Sequence, residues 1–197
     1  MSFKKSFSYM RWVIMQKIRF YKIDLNYVKY LWKFDNKVQY DIYKSDDYNK
    51  KRPYIGVVLE INDFRYFAPL EHPRISHRKL KSNPHILKIN NGRHGLIAFN
   101  NMIPVKESQL INFDFKDEDA NYQEILRSQF IFCDNNKERI NKHAQNTYNK
   151  VVIKKDPFFI SICCNFKLLE EKCLKYIEPA KQYIAVSNET EHRNIEK

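Results

Sequence analysis

Residues 66–81, which read YFAPLEHPRISHRKLK, combine proton-transfer groups with cations. The segment starts as an apolar strand. It then presents a carboxylate, two imidazoles, a hydroxyl and several cations within a short span: Glu71, His72, Arg74, Ser76, His77, Arg78, Lys79 and Lys81. Imidazoles exchange protons near neutral pH, and guanidinium groups match the oxygens of a phosphate. This combination of groups indicates phosphodiester chemistry on RNA.

Cleavage of RNA without a metal needs three groups. A base takes the 2'-OH proton, a cation stabilises the charge on phosphorus, and an acid protonates the departing 5'-oxygen. We predict that Arg74 binds the phosphate and that His72 or His77 transfers a proton. Ser76 contacts a phosphate or is a solvated loop serine, and Glu71 either orients an imidazole or pairs with Arg74. The alternative for each histidine is a loop residue that caps a turn.

Further basic and aromatic residues flank this segment. We predict phosphate contacts from four cations, with a merely solvated basic loop as the alternative: Lys51, Arg52, Lys79 and Lys81. Tyr48 either stacks on a base or packs on the sheet.

The composition favours a polyanionic partner. The 197 residues include 35 Lys and Arg against 23 Asp and Glu, a formal charge of +12, so the surface attracts polyanions. Nucleic acid is the expected partner. A membrane surface is disfavoured, because the sequence has no apolar run near 18 residues and no basic amphipathic helix free of acidic residues. The length and the 43% hydrophobic content predict a single domain.

The cysteines and histidines do not form a metal-binding pattern. Cys133, Cys163, Cys164 and Cys173 contain no C-x-x-C pair, so neither a zinc site nor a redox motif is expected. Buried thiols in a reducing cytosol are the expected state. We therefore predict a cytoplasmic protein that uses no metal and no cofactor.

Hydrophobic periodicity predicts the first half of the fold. Residues 17–23 form a strand, and Asp24 caps a helix whose apolar face begins at Tyr27. Residues 36–52 read as a long surface loop. Two alternating strands, at residues 54–61 and 64–70, are joined by a turn at Asn62 and Asp63.

The second half is predicted to change from strands to helices. Strands are expected at residues 85–89, 95–100 and 102–105, and helices from Asp119 to Cys133, from Glu138 to about Val151, and after Asn165. The whole predicts an α+β fold, a compact and strongly bent antiparallel sheet with flanking helices. Residues 1–16 are expected to form an N-terminal extension, 17–178 one domain, and 179–197 a polar tail.

Five segments, in order, resemble the ToxN/AbiQ family of type III toxin–antitoxin toxins. They are residues 26–38 (NYVKYLWKFDNKV), 51–61 (KRPYIGVVLEI), 66–81, 95–105 (GLIAFNNMIPV) and 163–173 (CCNFKLLEEKC). The resemblance implies a metal-independent endoribonuclease with a sheet related to the MazF/Kid toxins. It also implies inhibition by a repeat-derived pseudoknot RNA that the toxin trims, within a protein–RNA hetero-oligomer that acts in phage abortive infection.

The resemblance also implies roles for individual residues. Arg74 stands where relatives have a catalytic lysine, His77 at the family's histidine, and His72 where relatives have a serine. The resemblance therefore implies that Arg74 keeps the cation role of that lysine. His72 has no hydroxyl and does not keep the role of that serine. Upstream, the resemblance implies RNA contacts at Tyr27, Tyr48 and Arg52.

Two other classes of function remain open from the sequence. A non-catalytic RNA-binding module would keep the basic loop and the aromatics. A toxin that acts through protein contacts would need neither histidine.

Overall fold

The computed structural model describes residues 18–81 and 83–177. The predicted N-terminal extension, residues 1–16, and the predicted tail, residues 179–197, lie outside these ranges.

The described residues form an antiparallel sheet with flanking helices. The strands are β1 (Arg19–Ile23), β2 (Tyr54–Ile61), β3 (Phe64–Glu71), β4 (Ile86–Lys88), β5 (Leu96–Ala98), β6 (Ile103–Pro104) and β7 (Leu110–Asn112). The helices are α1 (Leu25–Trp32), α2 (Asp46–Lys50), α3 (Ile75–Lys79), α4 (Ala120–Asn135), α5 (Lys137–Tyr148), α6 (Pro157–Ile162) and α7 (Phe166–Lys175). The predicted α+β class is confirmed.

Strand β3 organises the sheet. The strand order is β4-β5-β3-β2-β1-β7, and β6 also pairs with β3. The start of β3 pairs with β6 at Tyr66 and Phe67, whereas its end pairs with β5 at Leu70 and Glu71. This change of partner fixes the end of β3 between two neighbours, because β2 holds it on the other side.

Local signals in the sequence place most elements correctly. Asp24 caps α1 by accepting a hydrogen bond from the Tyr27 backbone N–H at 3.1 Å. Asn62 and Asp63 form the β2–β3 turn with positive φ angles of 48° and 66°, the left-handed conformation that a two-residue hairpin requires. Helix α4 ends at Asn135 and α5 begins at Lys137, within two residues of the predicted bounds at Cys133 and Glu138.

Four predicted segments differ from the structure. The loop at residues 36–52 contains α2, which Ser45 caps by accepting from the Tyr48 N–H. The strands predicted at residues 85–89 and 95–100 are shorter, because the first ends in a turn at Ile89–Gly92, where Asn90 and Asn91 have left-handed backbone angles, and the second ends in a 3₁₀ helix at Phe99–Asn101. Helix α5 ends at Tyr148 and continues as a π-helical turn, Asn149–Ile153.

A buried carboxylate ties two helices to the sheet. The hydroxyls of Tyr66 on β3 and Tyr148 on α5 both donate to Glu170 Oε1 on α7, each at 2.8 Å. Lys167 donates to the other carboxylate oxygen. Since a buried charge costs free energy unless it is paired and hydrogen-bonded, this arrangement specifies how α5 and α7 pack on β3.

Two sequence expectations can be compared with the rest of the fold. All four cysteines are free and buried, as predicted. Within residues 18–81 and 83–177, no helix has the length and apolar character needed to cross a bilayer.

Candidate active site

The candidate site forms where β3 ends and α3 begins. Glu71 is the last residue of β3, and Arg74 occupies the position just before α3 with extended backbone angles. His77 therefore lies on a helix. The alternative of a loop histidine that caps a turn does not hold for this residue, because residues 75–79 complete a helical turn.

Glu71 and His77 form the centre of the site. Glu71 Oε2 lies 3.5 Å from His77 Nε2, and the two side chains are 24% and 5% exposed. Gln39 Nε2 donates to the other oxygen, Glu71 Oε1, at 3.4 Å. The Glu71 carboxylate is thus the more exposed of the two groups. The His77 imidazole contacts it from the protein interior.

Burial favours the neutral form of the His77 imidazole. It lowers the pKa of the imidazole below the usual value, Glu71 opposes part of this shift, and Arg74 adds to it. A neutral imidazole can donate to Glu71 from Nε2. The buried Nδ1, which has no hydrogen-bond partner among the described residues, is then the unprotonated nitrogen.

Two glycines hold this pair in place. Gly92 and Gly95 have positive φ angles of 84° and 86°, which favour glycine. A Cβ at Gly95 would lie 1.9 Å from the Glu71 carbonyl oxygen, and one at Gly92 would lie 2.8 Å from the His77 carbonyl. The turn between β4 and β5 therefore packs directly on the backbones of both site residues.

Arg52 is connected to the same centre through Gln39. Arg52 Nη1 donates to the Gln39 carbonyl at 2.6 Å, and Gln39 Nε2 also lies 3.2 Å from Asn101 Oδ1. The neighbouring Tyr54 hydroxyl is buried and has no hydrogen-bond partner in the described part of the chain. Burial raises the pKa of Tyr54 to about 12, although the charge of Arg52 opposes that shift.

His72 lies on the exposed side of the site. Its ring is 5.6 Å from the ring of Tyr122 on α4. Burial raises the pKa of Tyr122 to about 12, with smaller contributions from Glu118 and Asp119, and Arg52 lowers it in part. Tyr122 therefore contacts the exposed imidazole of His72.

The other predicted residues lie around this centre. Five of them are exposed: Arg74, Ser76, Lys79, Lys81 and Lys51. Arg52 is half-buried. Tyr48 is 48% exposed on α2, with Lys44 Nζ 5.7 Å from its ring centroid.

Tyr27 requires a correction. Its side chain is fully buried, and its hydroxyl donates to the Pro104 carbonyl at 2.6 Å. The ring packs against Tyr176 at 4.9 Å. The prediction that Tyr27 contacts RNA is wrong, because no part of the residue reaches the surface.

Sequence reasoning missed Gln39, Asn101 and Tyr122. Gln39 lies in a segment predicted as irregular loop, and Tyr122 reads as one apolar position on a helix. No local pattern marks either residue as a neighbour of Glu71 or His72. Among the described residues, no group of three or more His, Cys, Asp or Glu converges as a metal site would require.

Comparison with known proteins identifies the family. The sequence profile of the family described as toxin ToxN of type III toxin–antitoxin systems matches residues 19–174. The chain belongs to this family. The ToxN family match spans the whole sheet and the site described above.

Curated relatives of the ToxN family are named endoribonucleases. Endoribonuclease ToxN of Bacillus thuringiensis subsp. kurstaki is 30% identical over 81% of this chain and 84% of its own. Endoribonuclease AbiQ of Lactococcus lactis subsp. lactis is 31% identical over 83% of this chain and 92% of its own. Endoribonuclease ToxN of Pectobacterium atrosepticum is 32% identical over 79% of this chain and 91% of its own.

Solved structures confirm the fold. AbiQ, described as a lactococcal anti-phage endoribonuclease of a type III system, superposes with a TM-score of 0.69 at 30% identity, covering 81% of this chain and 98% of that chain. A structure from a study of selective toxin inhibition by a non-coding RNA pseudoknot matches with the same TM-score at 31% identity. The match covers 83% of this chain and 99% of that chain. The resemblance found in the sequence is therefore confirmed.

Proposed function

We propose that this ToxN-family chain is the endoribonuclease toxin of a type III toxin–antitoxin system that acts in phage abortive infection. The observation that carries the proposal is the solvent-facing Glu71 carboxylate at the end of β3, supported by His77 and followed at once by His72 and Arg74. Endoribonuclease relatives of similar length support the same activity.

Glu71 is the proposed general base. It is the accessible member of the Glu71–His77 pair, and a base must reach the proton that it abstracts. The neutral His77 donates from Nε2 to Glu71 Oε2, and Gln39 holds Oε1. These contacts orient the carboxylate toward the 2'-OH of the nucleotide on the 5' side of the scissile bond.

Arg74 stabilises the charge on phosphorus. The 2'-oxygen attacks the adjacent phosphorus, and negative charge collects on the non-bridging oxygens. A guanidinium fork matches these oxygens. Arg74 is exposed and makes no capping hydrogen bond to α3, so it is available to a phosphate. Arg52 supplies a second cation on the Gln39 side.

His72 is the proposed general acid. In its protonated form, the exposed imidazole would give a proton to the departing 5'-oxygen as the P–O bond breaks, and contact with Tyr122 fixes one face of the ring. The products are then a 2',3'-cyclic phosphate and a 5'-OH. No step in this scheme requires a metal ion or a cofactor.

The same basic surface would bind the antitoxin. Related structures come from work on a non-coding RNA pseudoknot and on a processed non-coding RNA in an antiviral system. We propose that a repeat-derived pseudoknot RNA occupies the exposed cations around α3, forms a protein–RNA hetero-oligomer in the cytoplasm, and is processed by the toxin. Cations at phosphates release counterions and supply much of the affinity.

The proposal is tested with a short labelled RNA and the same RNA carrying one 2'-deoxy sugar at the scissile position. We expect the first to be cut to 2',3'-cyclic phosphate and 5'-OH ends, and the second to bind but stay whole. Binding without cleavage of either RNA would favour a non-catalytic RNA-binding module. Absence of both binding and cleavage would favour a toxin that acts through protein contacts.

A further inference from the structure

An exposed tyrosine lies on a segment that the structure holds firmly. Residues 41–50, here called the Asn49 loop, contain Tyr43, whose side chain is 90% exposed. Ile42 and Tyr48 of the same loop are also exposed.

Asn49 fixes the shape of this loop. Its side chain is buried. Its Oδ1 accepts from the Asp41 N–H at 2.9 Å, and its Nδ2 donates to the carbonyls of Asp41 and Ser45 at 2.9 and 3.1 Å. The Tyr43 N–H donates to Asp41 Oδ1 at 3.0 Å. The ring of Tyr43 is therefore presented by an ordered backbone.

A salt bridge joins the Asn49 loop to the body of the domain. Lys29 Nζ on α1 lies 2.7 Å from Asp46 Oδ2 on α2. The same ammonium lies 5.8 Å from the ring centroid of Tyr40, which packs against Trp32 at 5.6 Å. The loop thus has a fixed position on the folded chain, which lowers the entropy cost of binding.

The charges around the loop suit a polyanionic occupant such as RNA better than a cationic or a purely apolar one. Its carboxylates are engaged: Asp46 pairs with Lys29, Asp47 lies 3.7 Å from Lys50, and Asp41 accepts the Tyr43 N–H. Lys44 and Lys51 are exposed beside the rings. Exposed rings interleaved with cations are the usual means of holding single-stranded nucleic acid.

We infer that Tyr43 stacks on an unpaired base of the bound RNA, with Tyr48 as a second ring and Lys44 and Lys51 at the flanking phosphates. This inference rests on the proposed RNA substrate or antitoxin. The Asn49 loop continues directly through Lys51 into Arg52, so the stacked base belongs to the same strand that enters the cleavage site. Stacking is tolerant of sequence, and this surface therefore contributes affinity more than cleavage specificity.

The test measures binding of a fluorescein-labelled 2'-O-methyl octaribonucleotide, which cannot be cut, to the full chain. Tyr43→Ala and Tyr43→Leu should weaken binding by about 5- to 150-fold, the range expected for loss of one base–aromatic stack, while Tyr43→Phe keeps the ring and the affinity. Phe158→Ala, which removes another exposed ring, on α6, serves as the control and should change binding less than about 2-fold.

An abasic scan identifies the partner base. Octamers with one abasic position each should show one position where wild-type binding falls, and at that position Tyr43→Ala should cause no further loss. Equal affinity for wild type and Tyr43→Ala, or additive losses at every abasic position, would overturn the inference. Cleavage of the all-ribose octamer by wild type is measured in parallel, so a failure of Tyr43 stacking is distinguished from a failure of the endoribonuclease proposal.

Discussion

His77 lies 3.5 Å behind the Glu71 carboxylate, Nε2 to Oε2, and is the more deeply buried of the two residues. The imidazole that the sequence offers as a base therefore does not face solvent. It contacts the Glu71 carboxylate, which is the more exposed of the two groups. In the proposed mechanism, Glu71 is therefore the group that meets RNA and His77 is the residue that positions it.

Coupling between Glu71 and His77 is the first prediction. Glu71→Gln should lower kcat by about 10²- to 10⁴-fold, the range for loss of a general base. Because both residues then act as one unit, adding His77→Gln should cost far less than it does in the wild-type background. Single-turnover cleavage of a labelled RNA measures this cycle. Additive losses would show that His77 acts independently of Glu71.

Stability should fall in acid because of His77. Burial holds its folded-state pKa below the usual value, so the unfolded chain binds more protons. The contribution of His77 is present above about pH 6.5 and is lost as pH falls through the folded-state pKa. Burial lowers the pKa of His85 and His143 in the same direction. Urea unfolding between pH 5 and 7.5 should show a smaller pH slope for His77→Gln than for the wild-type chain.

Cleavage should survive EDTA. The proposed proton transfers use Glu71 and His72, and the phosphate charge is met by Arg74. Chelation should therefore leave the rate of RNA cleavage unchanged. A rate that is abolished by EDTA and restored by Mg²⁺ would contradict the proposed chemistry.

Arg74 and Lys79 should separate catalysis from binding. Arg74→Ala removes the charge opposite the phosphorane and should lower the cleavage rate by about 10²-fold or more, while antitoxin binding persists. Lys79→Ala should instead reduce the slope of log K against log salt by about one phosphate. Filter binding over a salt series measures the RNA affinity of both variants. The cleavage rate of Arg74→Ala is measured on a labelled RNA. Lys154→Ala, another exposed lysine, should leave the slope unchanged.

Tyr27 should matter for stability and not for RNA. Tyr27→Phe removes the hydroxyl that donates to the Pro104 carbonyl, and the buried acceptor left behind should cost about 1–3 kcal/mol of unfolding free energy. Tyr43→Phe, at an exposed position, should change stability by less than about 0.5 kcal/mol. Denaturant unfolding gives both values. Unchanged RNA affinity in folded Tyr27→Phe would agree with its place in the core.

The sequence by itself determined the elements and the family. Alternation of apolar residues located β2 and β3, side-chain caps located the starts of α1 and α7, and five ordered segments identified the ToxN/AbiQ family. These signals are local, since periodicity and capping depend on neighbours within a few residues. The sequence also directed attention to the polar residues after Leu70, where the candidate site lies.

Only the tertiary structure decided which of those side chains meet. Gln39 reaches Glu71 across 32 residues and Asn101 across 62, and no local pattern encodes either contact. Burial likewise depends on the whole fold: it placed Tyr27 in the core, put His77 behind Glu71, and left Tyr43 in solvent. A side chain's accessibility and pKa follow from the packing of distant segments around it, which a spacing rule along the chain does not specify.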